Sequence, residues 1–169
     1  MPLPPVHGLA VLSPYFKSSR LDPLALLAAA TFVDLEPLYY VLVGQPLDHQ
    51  MWHGFALALT VYPVLVGLVV FSAEHLLEGN LRSAYNFLKL KPTRVKYPSL
   101  TIYLCCLAAG LSHIFLDMFT HESMPYVVFP FASGNPFYLG QASGVVEAAA
   151  LGLAVSSVFL WWKNIKTQR

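Results

Sequence analysis

The stretch from residue 111 to residue 121 reads LSHIFLDMFTH. It closes an apolar run that begins near Ser99 and is long enough to cross a bilayer as a helix. His113 and Asp117 are four residues apart, so they share one face of that helix, and His121 continues the row one turn later. An imidazole and a carboxylate need partners both in lipid and in a protein core. The rest of the chain therefore has to supply those partners.

The composition is typical of an integral membrane protein with a single domain. Hydrophobic residues make up 56% of the 169 residues and charged residues only 11%. A soluble domain carries about 25% charged residues, so this chain has too few to cover a soluble surface. The net charge of +1 gives no indication of nucleic-acid binding. The two cysteines, Cys105 and Cys106, are adjacent within an apolar run and are interpreted as packing residues.

Four segments are predicted to span the membrane, at about 23–43, 54–71, 99–119 and 144–162. Residues 7–16 are apolar but too short to span, and Pro14 would bend or end a helix there. Asp22-Pro23 is a typical helix start, with an N-cap followed by proline. The predicted fold, over residues 1–169, is an all-α polytopic membrane helix bundle of four transmembrane helices plus a short N-terminal re-entrant helix.

The basic residues predict the orientation. All ten Lys and Arg fall within residues 17–20, 82–96 and 163–169. With four spans, these three segments lie on one side of the membrane, and the segments 44–53 and 120–143 on the other side contain no Lys or Arg. The positive-inside rule then places both termini in the cytoplasm.

Several ionisable residues are predicted to lie at a similar depth. A helix rise of about 1.5 Å per residue puts Asp34 and His113 roughly 20 Å from the cytoplasmic edge and His7 at about 15 Å. With the residues that open the second and fourth spans, five segments bring histidines or carboxylates into the outer half of the membrane. One polyvalent cation would satisfy most of these groups, whereas isolated charges would each need a separate partner. The predicted metal ligands are His7, Asp34, His49, His53, His113 and Asp117.

This combination of ligands predicts a catalytic metal. Imidazole and carboxylate without thiolate favour a divalent transition metal, with Zn²⁺ as the first choice and Mn²⁺ or Fe²⁺ as alternatives. Such an ion, with a free coordination position, lowers the pKa of a bound water towards neutrality. Glu36 or Glu147 is predicted to act as the general base.

Residues 110–120, GLSHIFLDMFT, resemble the signature of the YdjM-type family of small bacterial and archaeal inner-membrane proteins. The family is described as metal-dependent hydrolases, and one branch is regulated by LexA. Its early His-Gly start, acidic pair, His pair and Pro-aromatic loop have counterparts at His7-Gly8, Asp34/Glu36, His49/His53 and residues 124–130. Two features depart from the family pattern. Pro37 stands where the acidic motif often ends in His, and the His pair is one residue closer than usual.

The resemblance implies a location in the prokaryotic plasma (inner) membrane. The family's histidine and aspartate pattern is similar to that of zinc-dependent phospholipase C enzymes, which implies a phosphoester substrate that is carried on a lipid. The resulting hypothesis is a membrane-embedded metal-dependent hydrolase that works in the outer half of the membrane. Its expected partners are membrane lipids and a lipid or phosphoester substrate, while its oligomeric state stays open.

Simpler interpretations stand beside these. His113 and Asp117 could form a hydrogen bond between packed helices. The residues His121 and Glu122 read as a loop start exposed to water, and Glu147 reads as a partner of its helix dipole. Two other functions use the same residues differently. They are a small ion or proton transport protein and a structural membrane subunit without enzymatic activity.

Overall fold

The computed structural model describes residues 4–18, 20–45, 49–90, 92 and 94–166, and this part of the chain forms helices and turns but no strand. Short 3-10 turns lie at Phe32–Asp34, Met51–His53 and Gly140–Ala142. The α-helices, in chain order, are α1 (Pro4–Ala10), α2 (Ser13–Lys17), α3 (Pro23–Thr31), α4 (Leu35–Leu42), α5 (Phe55–Leu59), α6 (Val61–Leu76), α7 (Glu78–Phe87), α8 (Ser99–Thr120) and α9 (Ser143–Lys166).

Three helical stretches among the described residues are long and apolar enough to cross a membrane: Pro23–Leu42, Ser99–Thr120 and Gly140–Lys166. A fourth is present if the bent pair α6 and α7 counts as one span. The structure thus confirms that the described part of the chain is all-helical and contains several helices that could span a membrane. The count of four spans and the re-entrant position of the N-terminal segment stay predictions.

The first span begins at the predicted residue but contains an interruption. Asp22 caps α3, because its Oδ1 accepts a hydrogen bond from the Leu24 backbone N–H at 2.9 Å. The 3-10 turn at Phe32–Asp34 then separates α3 from α4. A 3-10 turn pairs each N–H with the carbonyl three residues back, so it alters the hydrogen-bond pattern of the preceding turn. The carbonyls of Ala29 and Ala30 accept side-chain hydrogen bonds from α6 and α8 instead.

The second span, predicted as one helix over residues 54–71, is broken at Thr60, between α5 and α6. The Thr60 hydroxyl donates to the Ala56 carbonyl at 2.6 Å, which is a local bond of the kind that competes with the helical pattern. Pro63 accounts for this break, because it has no N–H to bond to the Leu59 carbonyl one turn earlier and its ring would clash with that carbonyl. α5 therefore ends at Leu59, and Pro63 lies in the first turn of α6. Beyond α6, the more polar α7 turns away by 93°.

The N-terminal segment forms two short helices, α1 and α2, in place of one half-helix over residues 7–16. Pro14 lies in the first turn of α2, which agrees with the prediction that it would end the preceding helix. α1 packs mainly against α9 and α3, and this packing buries His7 to 3% exposure. The turn predicted at 44–48 is described only as far as residue 45, and Lys91 and Arg169 of the basic segments also lie outside the described residues.

α8 is the central helix and packs against α3, α6 and α9. Gly110 permits the closest approach, since a Cβ at this position would lie 2.9 Å from the Tyr62 ring. The Tyr62 hydroxyl reaches across to the Ala29 carbonyl at 2.6 Å and so ties α6 to α3. α9, in contrast, leaves large apolar side chains such as Val145 and Phe159 exposed, as expected of a helix that faces lipid.

Candidate metal centre

α8 brings His113 and Asp117 into the interior with less than about 1% of either side chain exposed. His113 Nδ1 lies 2.7 Å from the Ala30 carbonyl, which can only accept a hydrogen bond, so Nδ1 carries the proton. In the neutral ring, Nε2 therefore presents a lone pair. This Nε2 lies 3.0 Å from Asp117 Oδ2 and 3.3 Å from Asp34 Oδ1.

His53 is oriented in the same manner by a different partner. The 3-10 turn at Met51–His53 places its Nδ1 3.2 Å from Glu36 Oε2. Glu36 also accepts hydrogen bonds from the backbone N–H groups of Gln50 at 3.1 Å and Trp52 at 3.2 Å, so it holds both the turn and the ring. The opposite nitrogen, Nε2, lies 3.7 Å from Asp117 Oδ2 and 3.9 Å from Asp34 Oδ1.

The spacing of these atoms fits coordination of a metal better than direct hydrogen bonds. Two ligand atoms that each lie about 2.0–2.1 Å from a tetrahedral ion are about 3.3 Å apart. Charge-assisted N–H···O hydrogen bonds are shorter, at about 2.7–2.9 Å. The four Nε2–carboxylate distances, 3.0, 3.3, 3.7 and 3.9 Å, lie around or above the tetrahedral value. Ligand atoms of Asp34, His53, His113 and Asp117 all lie within 4.8 Å of one another and could hold a metal ion.

A second set of histidines approaches Asp117 from other directions. His7 Nε2 lies 3.5 Å and His121 Nε2 lies 3.6 Å from Asp117 Oδ1. His49 Nε2 lies 3.9 Å from Asp117 Oδ2, and its ring stacks on that of His121 with centroids 4.3 Å apart. His49, Asp117 and His121 form a second group that could hold a metal ion, again with ligand atoms within 4.8 Å.

The histidines at the ends of the spans are suited to coordination at neutral pH. Burial lowers the pKa of His49 to about 3, helped by the neighbouring His53 and His121. Burial also lowers the pKa of His121. Both imidazoles are therefore neutral at pH 7, and neutral imidazole is the form that binds metal.

The segment between α8 and α9 covers this end of the bundle. The Asn135 side-chain amide donates to the carbonyls of Met118 at 2.7 Å and His121 at 2.6 Å, so it satisfies the free carbonyls at the end of α8. On the other side, the Phe55 N–H donates to the Val127 carbonyl at 3.1 Å. Gly54 is required at this contact, because a Cβ there would lie 2.5 Å from the Tyr126 carbonyl oxygen.

The structure brings most of the predicted site residues together. The six predicted ligands, His7, Asp34, His49, His53, His113 and Asp117, all belong to one of the two groups or contact Asp117. Glu36 touches the cluster through His53 Nδ1. Glu147 is half-buried in α9, belongs to neither group among the described residues, and acts electrostatically on His121. His121 was not among the predicted ligands, although its spacing of four from Asp117 was the signal for it.

No family model, curated protein or solved structure matches this chain. The resemblance to the YdjM-type family therefore stays a prediction.

Proposed function

We propose that this protein is a membrane-embedded metal-dependent hydrolase that acts on a phosphoester, with Asp34, His53, His113 and Asp117 as the metal-binding residues. One observation carries the proposal. Both histidines use Nδ1 for an acceptor, and both turn Nε2 towards the same two carboxylates at spacings suited to a shared cation.

The alternative to a metal ion is that protons on Nε2 of His53 and His113 bond to the carboxylates of Asp34 and Asp117. His53 and His113 would then both have to be charged, with ring centroids 5.6 Å apart and both side chains fully buried. Like charges at this distance repel strongly in a poorly polarisable interior. A metal ion needs only neutral imidazoles and brings the positive charge itself, so it satisfies the lone pairs and the carboxylates together.

The residues around the ion have separable roles in hydrolysis. A divalent ion bound here would polarise the phosphoester and lower the pKa of water. Asp34 turns Oδ1 towards the histidines, while its Oδ2 is buried without a hydrogen-bond partner. We assign Oδ2 as the acceptor of the proton from the attacking water. Glu36, predicted as the general base, instead positions His53, because its oxygens already accept hydrogen bonds from that ring and two backbone N–H groups.

The overall reaction is an ordinary hydrolysis. The water oxygen forms a bond to phosphorus, and the ester P–O bond breaks with its electron pair going to the departing oxygen. That oxygen takes up the proton released by the water, by way of Asp34. Zn²⁺ fits this ligand set, and Mn²⁺ or Fe²⁺ are the alternatives.

A groove supports a substrate that is carried on a lipid. It has a volume of about 580 Å³, lies between α1, α2, α3, α8 and α9, and is lined mainly by apolar side chains. On α8 it includes Ser112 and Leu116, which immediately precede the proposed ligands His113 and Asp117. An acyl or isoprenoid chain in this groove would run beside the metal centre. The aromatic side chains at Phe129, Phe131, Phe137 and Tyr138 are exposed and would form a rim that faces lipid headgroups.

The proposal also includes the membrane and the orientation inferred from the basic segments. The protein lies in a prokaryotic plasma membrane with both termini in the cytoplasm. The metal centre then lies in the outer half of the bilayer, where α5 begins and α8 ends.

A transport protein is the second candidate, because the imidazoles form a continuous chain. Ring centroids are 4.3 Å apart for His121 and His49, 4.5 Å for His49 and His53, 5.6 Å for His53 and His113, and 4.1 Å for His113 and His7. Such a chain could pass protons. A transported metal should exchange readily, whereas a catalytic metal should remain bound during purification.

The first test is the metal content of detergent-purified protein, measured by mass spectrometry. We expect at least one tightly bound transition metal in the wild type and its loss in His113→Ala. His75→Ala is the matched control, because His75 is an exposed histidine whose Nδ1 bonds only to the Phe71 carbonyl at 2.8 Å. Wild-type protein that holds no metal after incubation with Zn²⁺ or Mn²⁺ would overturn the proposal.

The second test is hydrolysis of a phosphomonoester, a phosphodiester and a phospholipid by the metal-loaded protein. His113→Ala should lower kcat/KM by at least about 100-fold, since removal of the ion removes its stabilisation of the transition state. Bound metal without hydrolysis, but with metal or proton flux into vesicles, would favour the transport protein.

A further inference from the structure

The two oxygens of Asp117 face different sets of histidines. Oδ2 lies 3.0 Å from His113 Nε2 and 3.7 Å from His53 Nε2. Oδ1 lies 3.5 Å from His7 Nε2 and 3.6 Å from His121 Nε2. The side chain is 1% exposed, and Oδ1 has no hydrogen-bond partner. A carboxylate used in this manner on both oxygens is typical of a bridge between two cations.

We propose that the site binds two metal ions and that Asp117 bridges them. The first ion lies among Asp34, His53, His113 and Asp117 Oδ2, as in the proposed function, on which this inference rests. The second ion lies among His49, His121 and Asp117. His121 and His7 approach it from the side of Asp117 Oδ1, and His49 Nε2 lies 3.9 Å from Oδ2.

The state of His7 provides independent support for the second ion. Its side chain is 3% exposed, and neither ring nitrogen has a hydrogen-bond partner. A buried imidazole without partners costs free energy comparable to a lost hydrogen bond for each nitrogen. Its Nε2 points at Asp117 Oδ1 from 3.5 Å, too far for a hydrogen bond and close to the spacing of two ligands on one ion. A cation beside Oδ1 would satisfy Nε2 of His7 and Oδ1 of Asp117.

A single ion cannot use all of these groups. Asp34, His53, His113 and Asp117, together with the attacking water, already give the first ion five ligands, the number to which a catalytic zinc site expands, and this leaves His7, His49 and His121 without a function. Charge leads to the same conclusion. The three carboxylates of the cluster, Asp34, Glu36 and Asp117, outweigh one divalent ion, whereas two divalent ions leave a single positive charge. A net positive charge is suited to an anionic substrate group such as a phosphoester, and two ions about 3.5–4 Å apart hold the attacking and departing oxygens of such a group.

The deciding experiment is the number of ions per chain in the wild type, His121→Ala, Asp34→Ala and the control His75→Ala. We expect about two ions in the wild type and the control, and about one in His121→Ala and in Asp34→Ala. One ion in the wild type that His121→Ala leaves in place would overturn the second site but not the proposed function. No ion in the wild type would overturn both.

A spectroscopic measurement on the wild type does not depend on how any variant folds. Protein stripped of metal and titrated with Mn²⁺ should develop a multiline electron paramagnetic resonance signal from two exchange-coupled ions. Its intensity should keep rising until two equivalents have been added. A signal of isolated ions alone, up to saturation, would contradict the bridge through Asp117.

Discussion

The protein buries ionisable side chains in two regions, and only one of them has the geometry of a metal site. The first is the cluster around Asp117, where imidazole nitrogens face carboxylate oxygens at 3.0–3.9 Å. The second is the pair formed by Asp22 and Glu74, both fully buried where α3 begins and α6 ends. There, Asp22 Oδ1 accepts the Leu24 N–H at 2.9 Å and Glu74 Oε2 accepts the Tyr97 N–H at 2.8 Å.

The two regions differ in the partners of their buried polar groups. The carboxyl groups of Asp22 and Glu74 are also neighbours, and a single proton retained by the pair would join their remaining oxygens, Asp22 Oδ2 and Glu74 Oε1. Asp22 and Glu74 stabilise the ends of helices by accepting hydrogen bonds from backbone N–H groups. In the cluster, the backbone and Glu36 occupy the outer nitrogens, Nδ1, of His113 and His53, and the inner nitrogens remain for a ligand. Burial of charge alone therefore does not identify a functional site, whereas the direction of the unused lone pairs does.

The largest expected effect is on the stability that bound metal provides, and it depends on Asp117, the proposed bridge between the two ions. A chelator should lower the melting temperature of the wild type in detergent by roughly 10 °C, because ligand at about 1,000 times its Kd contributes about 4 kcal/mol to stability. Asp117→Asn should abolish this response, and Glu74→Gln should preserve it. The comparison of the two regions would fail if Glu74→Gln also removed the response to the chelator.

A smaller effect, on metal affinity, is expected from Glu36, which supports the cluster only by positioning His53. Glu36→Gln keeps the size of the side chain but weakens its hold on His53 Nδ1. Partners of this kind typically contribute 10–100-fold to metal affinity, and we expect a loss in that range by competition with a chelating dye. Glu78→Gln is the control, since Glu78 pairs only with Arg82 and Lys96 at the surface. Unchanged affinity in Glu36→Gln would show that the ring does not need this contact.

Substitutions at Asp22, in the carboxyl pair, should change the stability of the protein but not its metal content. Asp22→Ala removes the cap of α3 and should lower the free energy of unfolding by about 1 kcal/mol, while Asp22→Asn keeps a capping oxygen and should cost less. Thermal unfolding measures the first quantity, and mass spectrometry should find the same metal content in all three proteins. A loss of metal in Asp22→Ala would link the two regions.

The smallest expected effect is a dependence on pH. Burial raises the pKa of Asp22 above its ordinary value of 3.8, in surroundings that include Glu74, Tyr85 and Cys105. The folded protein thus binds this proton more tightly than the unfolded chain, and the stabilisation falls as pH rises from about 4 through the folded pKa. The melting temperature of the wild type relative to Asp22→Asn should therefore decline by a few °C over that range. An increase would give the opposite sign and contradict the shared proton.

Local patterns in the sequence predicted those features of the fold that neighbouring residues determine, such as helix starts and helix faces. The dipeptide Asp22-Pro23 marked the start of α3, and the spacing of His113 and Asp117 placed both on one face of α8. That His7, Asp34, His49 and His53 approach the pair on α8 was predicted only from their similar depth along the helices, and Glu147 of the fifth segment belongs to neither group among the described residues. The sequence could not give the relation of these segments around the bundle axis, because helix packing decides it.

Other features depended on the tertiary structure and were not predicted. His121 is the residue that follows α8, so its exposure in a loop was the simpler interpretation until the segment that follows it folded back through Asn135. Glu36 and His53 are 17 positions apart in the chain and belong to different helical elements. The periodicity of a single helix therefore cannot predict their contact.

The order of the chain has a consequence for synthesis. The residues of both metal groups, together with His7, lie between residues 7 and 121, and no described residue of α9 belongs to either group. α9 nevertheless packs against α1, the helix that carries His7. While the chain leaves the ribosome, every ligand is thus available before the helix that holds α1 in place has been made. The order of translation itself provides a period in which the ligands can take up metal before the last helix packs against α1.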